Sequence, residues 1–417
     1  MYPLVLEELK TGFKDAIGET AAFFMRRYGK KQKYSKADVL SSHVPEEVIA
    51  LDKQLHALCK DIETLNFINP INIAAEKKRF FARRDMASPN FTYKQLNINP
   101  YEFREQLYKL PVADIADAGI QQLYRHIVDN LATKIDLLTT IGSDDFLYNS
   151  LKYYGKPNSR DIANANFILH APELPEEASL TKFDATHARD YFIARAKDWQ
   201  LDCKIEISTK IVAKAMVNSA KKQLLINKDA TFTEPELDAF AHHELGVHML
   251  TTILAKQQPL KVFALGLVGN THTQEGVAIF SEYCSGNLTL KRLKALALRV
   301  VAVDLMLKQQ DFLKTYQTLR ADHGMEKESA FTLTTRVYRG GGFTKDHLYL
   351  RGFSGIVNLY HNQAPLEDLL VGKTGLLDLP VISEMIARGM IDKPTSLFEF
   401  KLPDGKPIID YLVSAIR

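Results

Sequence analysis

The sequence predicts an α+β fold, mostly helical, with one small antiparallel sheet just before a long helix that carries three histidines. Three observations point there. Apolar residues recur at three- and four-residue steps through most of the chain, as in EEVIALDKQLHALCKDIETL from Glu46. Beyond Pro172 the step becomes two, over LDCKIEIST, TKIVAKAMVNS and KKQLLINKD, which reads as three short strands. Next comes TEPE, where Thr233 and Glu236 have the spacing of a capping box and Pro235 is tolerated in a first turn.

Taken in order, residues 1–165 form an N-terminal helical region. Its punctuation is NPINI (69–73), SPNFTY (88–93) and YYGKPNS (153–159), each with Pro or Gly among polar neighbours. Residues 166–417 form a second, catalytic region that begins with the sheet. The capped helix runs from residue 234 to about residue 256 and contains HHELGVH, residues 242–248. A second helix begins near Gln274 with QEGVAIFSEY. KRLKALALRVVAVDLMLKQQDFLKTY then reads as one long helix, apolar on one side. In RVYRGGGFTKDHLYLRG, three consecutive glycines break regular structure between basic and aromatic residues.

The composition narrows the function classes. At 417 residues, 46% hydrophobic and 25% charged, the chain is typical of soluble globular proteins. A net charge of +3 does not mark a nucleic-acid binder. Three cysteines, Cys59, Cys203 and Cys284, form no C-x-x-C pair and read as free thiols in a reducing compartment. The N-terminus lacks a signal-peptide pattern and no apolar run is long enough for a membrane span, so the expected location is the cytoplasm.

HHELGVH is where chemistry enters. A zinc helix ordinarily reads H-E-x-x-H, which puts two imidazoles on one face. Here the second histidine comes one residue late, and in a straight helix His243 and His248 would sit roughly 140° apart. A π-bulge that absorbs the extra residue restores a shared face, and Gly246 weakens the helix where such a bulge would form. Glu244 would then stand beside the first ligand as a general base. Three protein ligands are usual at a catalytic zinc. Glu275 on the following helix is the third candidate, with Glu282 in reserve. The alternative is a histidine-rich helix with no metal.

Beyond these two segments, NPINI, NFTY, GSDDFLYNSLKYYGKP and RVYRGGGFTKDHLYLRG occur in an order that resembles the bacterial QEGLA-motif (flavohemoglobin expression-modulating) proteins and the related eukaryotic microtubule-associated tyrosine carboxypeptidases. The resemblance covers roughly residues 65–360. It implies a zincin-like metallopeptidase with an HExxxH helix. His243, His248 and Glu275 carry over as ligands of Zn2+, and Glu244 as the catalytic glutamate. Val277 stands where the bacterial signature has Leu. The implied activity is removal of a C-terminal tyrosine from an acidic, tubulin-like tail.

A peptidase needs a donor for the oxyanion of its tetrahedral intermediate. Tyr349 and His347 are candidates, with Tyr338 a third. A carboxypeptidase must also hold a terminal carboxylate, which suits Arg336, Arg339, Lys345 and Arg351, with Tyr338 beside them. Asp346 reads as a cap of the following helix, and Asp304 as either an orienting acid or a helix-face ion pair. The basic runs at 26–36 and 76–84 could follow an acidic peptide or a nucleic-acid backbone, though such runs are more often solvated faces. Gly372-Lys373-Thr374 ends like a phosphate loop, but Glu367 stands where that motif needs glycine, so it reads as a turn. The expected partner is a peptide or protein C-terminal tail, with neither nucleic acid nor membrane. Two other readings stay open: a non-catalytic protein that docks on an acidic partner, and a zinc hydrolase of a non-peptide amide.

Overall fold

The structure is a computed structural model that describes residues 2–29, 43–60, 62, 64–172, 181–209, 211, 213–403 and 406–416. It is mostly helical with one three-stranded sheet, as an α+β reading requires. Among the described residues, no helix is long and apolar enough to cross a membrane.

The strands are β1 (Lys204–Ser208), β2 (Ala215–Asn218) and β3 (Gln223–Asn227). The sheet is mixed, which corrects the antiparallel expectation. β2 and β3 form a tight antiparallel hairpin, whereas β1 lies on the other side of β3 and pairs with it in parallel, Ile205 opposite Leu224. Alternation in the sequence identified the strands but not their neighbours.

The sheet positions the histidine helix. Leu224 and Ile226, two apart on one strand face, are fully buried against Leu237, Ala241, Leu245 and Met249. Behind them packs the helix Ala185–Asp198, through Ala188 and Phe192. On its other side the histidine helix enters a second core through Val247 and Leu250, which meet Val277, Phe280 and Phe353. The helix is thus wedged between two apolar clusters, so its rotation is fixed.

The expected long third helix is two. Leu290–Gln309 ends where Gln310 takes a left-handed conformation, and Asp311 then caps Phe312–Ala321 by accepting from the Lys314 backbone N–H. Apolar periodicity continues through the break because both helices face one core, so the pattern alone could not reveal it. The N-terminal helices likewise share a core with later segments: Leu51 and Ile127 pack with Leu260, Phe263 and Ile391.

The glycine loop is an anchor point. Gly340, Gly341 and Gly342 all have positive φ, and a Cβ on Gly340 would lie 2.6 Å from Ile68 and Phe146. The Gly340 N–H donates to the Tyr93 hydroxyl at 2.7 Å, its carbonyl accepts from the Gly142 N–H at 2.7 Å, and Arg339 donates to Asn69 at 2.6 Å. The segments NPINI, NFTY and GSDDF therefore converge on this loop and fix the chain that follows it.

Candidate metal centre

The histidine helix is built in three parts: an α-helix over Glu234–Phe240, a π-helix over Ala241–Met249 and an α-helix over Leu250–Gln257. The capping box at its start is complete, with Thr233 and Glu236 exchanging side-chain and backbone hydrogen bonds. The wider π turn does what the H-E-x-x-x-H spacing needs. It sets His243 and His248 on one face, with their Nε2 atoms 3.2 Å apart. His242 turns away and lies between Trp199 and Phe398, where burial lowers its pKa and keeps it neutral.

Glu275 arrives from the helix Asn270–Cys284, and each residue of Gln274-Glu275-Gly276 has a separate structural task. Gln274 is locked from both sides, accepting from Thr251 of the histidine helix at 2.9 Å and donating to the Gly372 carbonyl at 3.0 Å. Gly276 lets the helix touch Leu348–His361: a Cβ there would stand 2.4 Å from the Gly352 carbonyl oxygen. Between them, the Oε2 of Glu275 lies 3.7 Å from His243 Nε2 and 3.8 Å from His248 Nε2. The three potential ligand atoms lie within 4.8 Å of one another, and no other such group of His, Cys, Asp or Glu occurs among the described residues.

A second layer orients these groups. Glu282, two turns along the same helix face from Glu275, accepts from His243 Nδ1 at 2.7 Å and is gripped by Arg292 through Nε at 3.1 Å and Nη2 at 2.9 Å. Burial alone would raise the pKa of Glu282, but Arg292 and His243 outweigh it and hold it down to about 2. As an acceptor-only carboxylate it fixes the proton of His243 on Nδ1 and leaves the Nε2 lone pair facing His248 and Glu275. Burial likewise works against the carboxylate of Glu275, yet His248 and Lys345 hold its pKa far below the ordinary range. The neighbouring Glu275 outweighs burial at His248 and raises its pKa. Glu282 is thus an orienting residue here, not the reserve ligand.

Glu244 is buried at 6% exposure beside His248, and among the described residues it makes no hydrogen bond or ion pair.

Lys345 comes from the block after the glycines, with its Nζ 3.8 Å from Glu275 Oε1 and 5.7 Å from the centroid of the Tyr349 ring. The other residues expected there have other employment. Arg336 forms a two-point ion pair with Asp346 at 2.5 and 2.9 Å and lies beside Tyr349. This also corrects the capping role expected for Asp346, which is completely buried and caps nothing. Tyr338 shares a hydrogen bond with Thr315 at 2.9 Å and packs on Phe312 in a separate core. Arg339 is committed to Asn69 and the Phe343 ring, and burial lowers its pKa to about 10. Arg351 pairs with Asp161 and donates to the Lys156 carbonyl, pinning the helix Ser159–Leu169. His347 is fully buried, with Nδ1 2.6 Å from the Thr344 carbonyl, and burial pushes its pKa down to about 4.

A model of the microtubule-associated tyrosine carboxypeptidase family matches the chain from residue 78 to residue 412. The chain belongs to that family. The match takes in the sheet, the histidine helix, the glutamate helix and the glycine loop, so every member of the cluster lies inside it. No curated protein matches the sequence.

Seen in this carboxypeptidase family member, the remaining motifs are structural. Gly372-Lys373-Thr374 is a turn: Gly372 supplies the carbonyl for Gln274, and Thr374 donates to the Leu369 carbonyl at 2.8 Å. Asp304 makes a helix-face pair with Lys308 at 2.7 Å. In the 76–84 run, Phe80 is core, Glu76 is buried and accepts from the Asn90 N–H, and Lys77 pairs with Glu328. The 26–36 run lies mostly outside the described residues.

Sequence reasoning missed Arg292 and Arg299. They stand seven residues apart on Leu290–Gln309, which places both on one face two turns from each other. Two arginines repeating at that step in line with the buried Leu296 and Val303 were the available signal.

Proposed function

We propose that this chain is a zinc-dependent carboxypeptidase of zincin-like type that removes the C-terminal residue of a peptide tail. Family membership supports the hydrolase class, and the family description points to tyrosine as the residue removed; the acidic tail is what the sequence resemblance implies. The observation that carries the metal is the convergence of His243 Nε2, His248 Nε2 and Glu275 Oε2 at 3.2, 3.7 and 3.8 Å. A cation seated among these three atoms would satisfy their lone pairs together. A tetrahedral site with zinc bonds near 2.0–2.1 Å has edges of roughly 3.3 Å, close to what these atoms present.

Zinc held there would supply Lewis acidity, polarising a carbonyl and acidifying a water at neutral pH. The chain's own residues do the rest. Glu244 takes the proton of the attacking water and returns it to the leaving amine. Glu282 keeps His243 in the tautomer whose Nε2 faces the cluster. Tyr349, on a helix packed directly against the glutamate helix, is the candidate donor to the oxyanion.

The test is release of tyrosine from an acidic peptide ending in tyrosine, followed by mass spectrometry. The proposal expects one residue lost from the C-terminus and no loss with Glu244→Gln. Cleavage only within the peptide, or from its N-terminus, would reject the carboxypeptidase assignment.

A further inference from the structure

Of the arginines around the candidate centre, Arg299 stands out by what it lacks. Arg292 is held by Glu282, Arg336 by Asp346, Arg351 by Asp161 and Arg339 by Asn69. Arg299 makes no hydrogen bond and no ion pair among the described residues. Its guanidinium carbon lies over the face of Tyr349, 4.2 Å from the ring centroid. The same ring has Lys345 Nζ at 5.7 Å, and that lysine is 3.8 Å from Glu275.

The local charge balance is uneven. Among the described residues, Asp346 is the only acid that faces Arg299, Arg336 and Arg339 together, and Arg336 uses both of its oxygens. Burial, reinforced by Arg336, works against the charge on Arg299, and one acid among three arginines leaves the site short of anions. The Arg299 guanidinium lies over the Tyr349 ring and donates to no group among the described residues, which leaves its fork of N–H groups to grip a carboxylate with two parallel hydrogen bonds. Arg299 is only half-buried.

We propose that Arg299, with Lys345 across the Tyr349 ring, binds the terminal α-carboxylate of the peptide and so sets the enzyme's preference for chain ends. This rests on the carboxypeptidase reading and deepens it. A terminal carboxylate sits one residue beyond the scissile carbonyl, and consecutive Cα atoms are about 3.8 Å apart. The clamp must therefore adjoin the hydrolytic group, as the Lys345 contact to Glu275 does here. Arg336 and Arg351 are excluded because each is already paired with a carboxylate, and Arg339 because it is buried against Asn69 and the Phe343 ring.

The test separates binding from turnover. In a Glu244→Gln background, the affinity of an acidic peptide ending in tyrosine is compared with that of the same peptide as its C-terminal amide. With Arg299 present, the free acid binds more tightly. Arg299→Gln removes that preference by about 10- to 100-fold, while affinity for the amide changes little. Arg299→Lys, which keeps the charge but loses the fork, retains only part of it. Thermal melting and zinc content are measured for each variant, and Arg299→Lys serves alone if the glutamine variant does not fold. An unchanged preference in a folded variant, or no preference in the Glu244→Gln protein itself, overturns the inference. Release of the C-terminal residue by the unmutated enzyme separately decides the carboxypeptidase reading.

Discussion

The Nδ1 of His243 lies 2.7 Å from the Glu282 carboxylate, across 39 residues of sequence, and the same carboxylate is clasped by Arg292. This relay fixes which nitrogen of His243 carries its proton, and hence which one faces His248 and Glu275. Glu282→Gln keeps the shape but loses the charge that secures the tautomer. Zinc affinity, measured by competition with a chromogenic chelator, should fall about 10- to 100-fold, with the melting temperature changing less. Unchanged affinity would remove Glu282 from the account.

Glu244 is assigned to proton transfer alone. Glu244→Gln should therefore keep its zinc and lose about 10²- to 10⁴-fold in kcat, with peptide affinity preserved. Loss of zinc together with activity would make Glu244 a structural residue of the centre.

Gly276 has no room for a methyl group, because the Gly352 backbone occupies the place its Cβ would take. Backbone cannot swing aside as a side chain can, so Gly276→Ala must part the two helices. A loss of about 3 kcal/mol is expected from chemical denaturation. Zinc affinity should fall with it, since Glu275 is the adjacent residue. A variant as stable as the parent would show that the helices can separate at little cost.

Asp378 supplies a pH dependence remote from the metal group. Its carboxyl is 8% exposed, Oδ2 has no partner among the described residues, and burial raises its pKa to about 6. The folded state therefore keeps a proton that the unfolded chain releases near pH 4. The associated stability is complete below that lower pKa and is lost as pH rises through about 6. Asp378→Asn should gain about 2–3 kcal/mol over the parent at pH 8 and little at pH 4. A gain that does not change with pH would contradict this assignment.

Much of the centre was legible because its parts are local. H-E-x-x-x-H demands a widened turn if both rings are to meet, and the π-helix over Ala241–Met249 supplies it. TEPE is a self-contained cap. What stayed hidden depended on partners distant in sequence. Arg336 and Arg351 looked equally suited to hold a substrate anion until Asp346 and Asp161 were seen beside them. Tyr338 stands between basic residues in the sequence, and only the fold shows that its hydroxyl meets Thr315 instead. The order of three short strands was equally invisible, because alternation specifies a face and not an adjacent strand.

Metal analysis of the purified protein bears most directly on the central claim, that His243, His248 and Glu275 jointly hold zinc. The account predicts one zinc per chain, retained through gel filtration and lost from folded His243→Ala and Glu275→Ala proteins. A well-folded parent that takes up no zinc when it is offered, or variants that keep a full complement, would contradict it.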